Sequence, residues 1–176
     1  MPKIIENVRG RLIDEARSQI NENGYDNVTI RSIAKGCELG LGTFYNYFKS
    51  KEMLIASFLL EDWKARIEEV NSASESNADP MSIVKAIHFE LSDFIASNIS
   101  IFTSPNAIKS FNSVASEYHK ILRGQIARPI CHACTVAGYD NAEFLSQFVA
   151  ESILTWTVAK KSFDELAPVL NKLFIK

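Results

Sequence analysis

The chain has 176 residues and a mass of 19.7 kDa, enough to bury a substantial core. Apolar residues make up 47% and charged residues 23%, which excludes a chain whose main state is disordered. With 7 Gly and 5 Pro it is neither collagen-like nor proline-rich, and a formal charge of −2 means that any nucleic-acid site must be local.

The spacing of apolar residues predicts helices over about 4–23, 30–36, 40–47, 51–73, 80–98, 105–137, 141–160 and 163–175. Leu12, Ala16 and Ile20 share one face of the first. Met81, Val84, Ile87, Leu91 and Ile95 do so in 80–98. Leu145, Phe148, Val149, Ser152, Ile153 and Trp156 form a stripe in 141–160, and Leu166, Val169, Leu170, Leu173 and Phe174 form one in the last. Thr29, Ser50, Asp79, Ser104, Asp140 and Ser162 stand where a side-chain oxygen can accept from the free amides of a new helix. Pro80 and Pro105 follow two of them, at a position where a missing N–H costs nothing. Gly24 and Gly138 are placed to end helices. The polar stretch Asn71–Asp79 reads as a linker. A break is expected in 105–137 near Gly124 or before Pro129, and Pro168 predicts a kink or late start in the last helix. No run alternates in the manner of a strand, so the expected class is all-α.

No apolar run reaches the roughly 18–20 residues of a membrane span. The opening Met1–Asn7 lacks a long apolar segment and carries Glu6, so no secretory signal is expected. An odd set of cysteines, Cys37, Cys131 and Cys134, fits a reducing cytoplasm better than a disulfide framework.

Residues 24–54 carry the functional signal. Two short helices, 30–36 and 40–47, are separated by Cys37-Glu38-Leu39, the proportions of a helix-turn-helix. Ile30, Ile33, Ala34 and Leu39 supply a small apolar core, with Ala34 small where the helices cross. The second helix has no charged residue but holds Thr43, Tyr45, Asn46 and Tyr47, side chains that hydrogen-bond phosphates and base edges. Gly42 admits close approach of a surface. Residues 27–51 contain Arg31, Lys35, Lys49 and Lys51 against Glu38 alone, so cations concentrate here in an otherwise acidic chain. The Gly40-Leu41-Gly42 run lacks both a preceding strand and the Lys-Ser/Thr of a phosphate loop.

Residues 9–54 resemble the DNA-binding domain of the TetR family of bacterial regulators. The match runs without a gap through Gly24-Tyr25, Thr29, Ile33-Ala34, Gly42-Thr43-Phe44-Tyr45, Tyr47-Phe48, Ser50-Lys51-Glu52 and Leu54. The resemblance implies a DNA-binding domain over 1–50 and a helical effector-binding and dimerisation domain over 51–176. Helix 40–46 would lie in the major groove of a double-stranded operator, with Arg31, Leu41, Gly42 and Asn46 near bases. Thr29, Thr43, Tyr45, Tyr47 and Lys51 would meet phosphates. Glu38 stands where the family usually has Gly, Gly40 where it often has a Ser-type cap, and Leu41 at a commonly polar position. Helices 141–160 and 163–175 would pair with their copies in a homodimer.

The function implied is a dimeric repressor released from its operator by a small molecule. Among the large residues available for an effector pocket are Trp63, Phe102, Tyr118 and Trp156, with His88 as a polar anchor. The alternative is a helical protein-interaction module that keeps the fold without DNA binding. Cys131-His132-Ala133-Cys134 has half a zinc spacing with no second ligand pair, so no metal or cofactor is assigned. No catalytic motif is present, which argues against an enzyme.

Overall fold

The computed structural model describes residues 6–76, 79–114 and 116–175. The described residues form ten α-helices and one 3-10 turn, with no strand: α1 (Val8–Asn23), the turn Tyr25–Asn27, α2 (Ile30–Gly36), α3 (Leu41–Tyr47), α4 (Lys51–Ser76), α5 (Pro80–Ser97), α6 (Ile99–Phe102), α7 (Pro105–Val114), α8 (Ser116–Val136), α9 (Ala142–Val158) and α10 (Phe163–Leu173). They gather into two compact units.

The first unit takes Met1–Leu60 together with Asn98–Ser116. The 1–50 boundary expected from sequence thus stops one helix segment short, and the inclusion of α6 and α7 is not legible in local sequence at all. Leu12, Ala16 and Ile20 of α1 are buried as their spacing requires, beside Ile33 of α2, Phe44 of α3, and Leu54, Ile55 and Phe58 of α4. Ile101 and Ala107 close the same cluster. Each fully buried aliphatic side chain of this kind is worth roughly 1.5–3 kcal/mol. Gly24, at φ 77°, ends α1 by donating its N–H to the Ile20 carbonyl at 2.8 Å. Asp26, in the 3-10 turn, accepts from Ser104 Oγ at 3.0 Å and Asn106 Nδ2 at 2.9 Å, while Ser104 Oγ accepts from the Ala107 amide and so caps α7.

The second unit takes Glu61–Ser97 and Glu117–Lys176. Within it α5 packs most extensively against α9 and also against α10. Its core holds Trp63, Ile67, Ile87, Leu91, Ile126, Ile130, Val149, Ile153 and Leu170. Arg66 reaches from α4 to Asp93 at 2.6 Å and Glu90 at 3.3 Å on α5. On α9 the buried stripe is Ser146, Val149, Ala150, Ile153 and Thr157. Phe148, expected in that stripe, is 50% exposed instead, and Phe144 is 73% exposed. The two lie one turn apart on the opposite side of the helix. Val169 of α10, placed by its spacing in the core, is also exposed.

Other local expectations also meet corrections. α4 runs on to Ser76, through most of the supposed linker, with residues 77–78 outside the described residues. α8 continues through both Gly124 and Pro129, while α7 ends at Val114 and α8 starts at Ser116. α10 starts at Phe163 and carries Pro168 inside it rather than beginning late. Ser50, Asp79, Ser104 and Ser162 accept from amides three residues on, as capping residues do. Asp140 gives way to Asn141, whose side chain makes no capping bond.

Candidate nucleic-acid interface

The α2–α3 pair is built by side chains that hold backbone groups. Thr29 and Ser32 form a reciprocal capping box: the Thr29 hydroxyl accepts from the Ser32 amide at 3.0 Å, and the Thr29 amide donates to Ser32 Oγ at 3.0 Å. After α2 the chain turns through Glu38 in the left-handed region, at φ 56°, and Leu39 donates back to the Ala34 carbonyl at 2.8 Å. That conformation explains why glycine suits this position, and why Glu38 is strained there. Arg11 of α1 braces the turn by donating from Nη2 to the Cys37 carbonyl at 2.8 Å, and the Cys37 thiol lies 3.3 Å from the Arg11 carbonyl. Burial pushes the Cys37 thiol up, helped by the nearby Glu15 carboxylate.

α3 is anchored by one residue. Phe44 is fully buried and packs on Phe48 with ring centroids 6.0 Å apart. This turns the rest of the helix outward: Leu41, Gly42, Tyr45, Asn46 and Tyr47 are exposed and Thr43 is half-buried. Thr29 and Arg31 are exposed as well. Gly42 has no packing reason to be glycine, since a Cβ there would meet no atom within 4 Å and its φ is not left-handed. Inside a helix such a glycine costs roughly 1 kcal/mol relative to alanine.

Lys51 departs from the arrangement its resemblance implies. Its Nζ donates to the carbonyls of Tyr25 at 3.0 Å and Val28 at 2.9 Å and lies 3.8 Å from the centroid of the Tyr25 ring. Burial lowers its pKa. Tyr25 Oη in turn donates to Glu52 at 3.2 Å, and burial together with that carboxylate pushes the phenol up to about 12. This ammonium therefore joins the start of α4 to the 3-10 turn. The exposed cations of the segment are Arg31, Lys35 and Lys49.

Residues 12–58 match the family model described as bacterial regulatory proteins, tetR family. The likeness to that family covers the helix-turn-helix end of the chain. The Fatty acid metabolism regulator protein of Bacillus subtilis is 27% identical over 172 residues, covering 89% of this chain and 87% of that one. The HTH-type transcriptional regulator UidR of Escherichia coli is 39% identical over 54 residues, 31% of this chain and 28% of its own length. Among solved structures, Thermus thermophilus FadR, a TetR family transcriptional repressor in complex with lauroyl-CoA, superposes with a TM-score of 0.64 at 17% identity, covering 96% of each chain. At that identity the likeness shows the fold.

The residues weighed for an effector pocket do not all converge. His88 Nε2 hydrogen-bonds the Lys161 carbonyl at 3.0 Å, and Trp156 Nε1 donates to the Ser162 carbonyl at 3.1 Å, so both secure the turn between α9 and α10. The His88 ring also lies 5.7 Å from that of Phe163. Trp63 is buried edge-on against Phe94, with centroids 5.7 Å apart. Tyr118 is half-buried on α8. Phe102 is half-buried on α6 and belongs to the first unit. Sequence reasoning missed a groove between α8 and α9 lined by Lys120, Arg123, Arg128, Cys131, Gln147 and Glu151. Cys131 is half-exposed, whereas Cys134 is buried and its thiol is pushed up to about 11 by burial. No group of three or more potential metal ligands gathers among the described residues, and no helix among them is long and apolar enough to cross a membrane.

Proposed function

We propose that this TetR-family regulator acts in the cytoplasm as a homodimeric repressor that binds a two-fold operator through α3 and leaves it when a small molecule binds the second unit. The outward face of α3 carries this reading: Gly42 sits bare between Leu41 and Tyr45-Asn46-Tyr47, in a helix whose only buried residue is Phe44. On this reading Leu41 and Asn46 meet base edges, with the leucine suited to a thymine methyl and the asparagine to adenine. Thr29, Thr43, Tyr45 and Tyr47 meet phosphates, and Arg31 approaches a base. Lys51 acts as a brace within the domain.

Dimerisation rests on Phe144 and Phe148, which leave an apolar strip on α9 opposite its core face, with Val169 exposed on α10. Pairing these helices with their copies would bury that strip and place two α3 helices for successive half-sites. A ligand favouring a conformer with differently spaced α3 helices would release DNA through the difference in its affinity for the two states.

The test is fluorescence anisotropy with DNA flanking the chain's own gene, at several salt concentrations, alongside light scattering. Tight, salt-dependent binding to one fragment by a dimer, and a monomer from Phe148→Glu, is the expected result. Failure to bind any fragment even at low salt would move the chain to the protein-interaction alternative.

A further inference from the structure

Phe44, the buried residue of α3, fixes which way the helix faces. At about 100° per residue, Gly42 and Asn46 stand about 160° to either side of it, so this pair, one turn apart, forms the outermost ridge. The ridge is uneven. A Cβ at Gly42 would meet nothing within 4 Å, so a notch lies one turn before the Asn46 side chain, with Leu41, 39% exposed, beside it. Among the described residues the Asn46 amide has no partner. Asn23 and Asn27, by contrast, each give Nδ2 to the carbonyl four residues earlier, at 3.2 and 2.8 Å. α3 contains no Lys, Arg, Asp or Glu.

A carboxamide holds one acceptor and one donor side by side. In the major groove adenine shows the matching pair, an N6–H that donates and an N7 that accepts. Guanine shows two acceptors, so Nδ2 is satisfied but Oδ1 faces a lone pair, and cytosine offers a donor alone. A helix with no guanidinium or ammonium has nothing with which to fork onto guanine instead. The notch is selective by shape. Of the four bases, thymine alone carries an apolar knob into the major groove, its C5-methyl. Four residues of helix rise about 6 Å, and successive base pairs lie about 3.4 Å apart, so the ridge covers two neighbouring pairs.

We infer that the base pairs beneath α3 are both A·T: in each half-site Asn46 holds an adenine through two hydrogen bonds, and the thymine methyl of the neighbouring pair lodges in the Gly42 notch against Leu41. The inference deepens the proposed operator binding and rests on it. It makes Gly42 a receptor for a methyl group, and it keeps guanine out of the footprint of α3.

The experiment selects duplexes from a random-sequence pool with the full chain. The enriched duplex is then remade with single-group changes in both half-sites, each A·T pair in turn, and binding is read by fluorescence anisotropy. 7-Deazaadenine removes N7, and deoxyuridine in place of thymidine removes the methyl. One adenine should lose about tenfold in affinity as its 7-deaza form with the parent chain and show no loss with Asn46→Ala. At the neighbouring pair, deoxyuridine should weaken the parent severalfold but strengthen binding by Gly42→Ala, because the alanine methyl then takes the space that the thymine methyl left. The inference is overturned if the pair whose preference Asn46→Ala alters is G·C, if no adenine shows that pattern, or if deoxyuridine weakens Gly42→Ala as much as the parent. Each of these results comes with DNA binding intact and leaves the proposed function standing. A pool that yields no enriched duplex refutes operator binding itself, and this inference with it.

Discussion

Replacing Gly42 with alanine separates what the fold needs from what DNA needs. The added methyl meets no atom within 4 Å in the protein, and the backbone there is compatible with any residue. Alanine should therefore stabilise the first unit by roughly 0.5–1 kcal/mol, the usual gain at an exposed helix interior. For a chain of this size that raises Tm by about 1–4 °C. On DNA the sign reverses. If α3 lies in the major groove with Gly42 against it, each subunit carries one intruding methyl. A loss of about 1 kcal/mol per half-site, the low end of what one base contact is worth, gives about 2 kcal/mol for a dimer, or roughly 30-fold in Kd. Differential scanning calorimetry and operator anisotropy on the same preparation read both effects. A variant that is more stable and binds DNA unchanged would refute the placement of Gly42 at the interface. A less stable one would refute the claim that nothing in the protein needs glycine there.

Glu38→Gly should relieve the left-handed strain at φ 56° and stabilise by about 0.5–1 kcal/mol, measured by urea denaturation; unchanged stability would mean that the turn is unstrained. It also removes an exposed carboxylate from the face proposed to meet DNA, so operator affinity at low salt should rise. Lys51→Met should cost about 1–3 kcal/mol of stability, because the Tyr25 and Val28 carbonyls lose their donor. The salt slope of DNA binding should stay within the experimental error of the parent's, and a slope smaller by about one would return Lys51 to a phosphate contact. Tyr25 titrates near 12 in the folded chain against 10.0 for an ordinary tyrosine. The unfolded chain then loses its proton first, so stability is intact below pH 10 and falls as pH rises toward 12. Tyr25→Phe should remove that part of the alkaline decline, seen as a shallower loss of stability between pH 10 and 12 relative to the parent; parallel curves would contradict the assignment.

The parts of the molecule legible in sequence are those set by short-range chemistry. The Thr29–Ser32 capping box, the Gly24 stop and the Leu12/Ala16/Ile20 face each depend on spacing within one or two helical turns, and they stand where spacing puts them. The helix-turn-helix was readable for the same reason. What escaped depends on partners far along the chain. The family resemblance turned Lys51 toward a phosphate, yet its ammonium finds carbonyls 23 and 26 residues earlier. Phe148 fits an apolar stripe by periodicity, but so does the stripe one position over, through Val149 and Ile153. Only tertiary packing decides which one faces inward. α6 and α7 carry no mark of the unit they join, since Asp26 meets Ser104 and Asn106 across 78 and 80 residues.

That last clasp sets the boundaries for anyone who would move this reading head onto another sensor. The stretch that ends at Leu60 is only the longer of two pieces. Cut there, it would lose Ile101 and Ala107 from its apolar cluster, leave the Tyr25 ring without its Phe111 neighbour, and strip Asp26 of both donors. A working chimera must therefore import 98–116 as well, and with them a segment that leads directly into the host's own helices. The graft meets host sequence at three seams, after 60, before 98 and after 116, and the sensor it is joined to must accept all three.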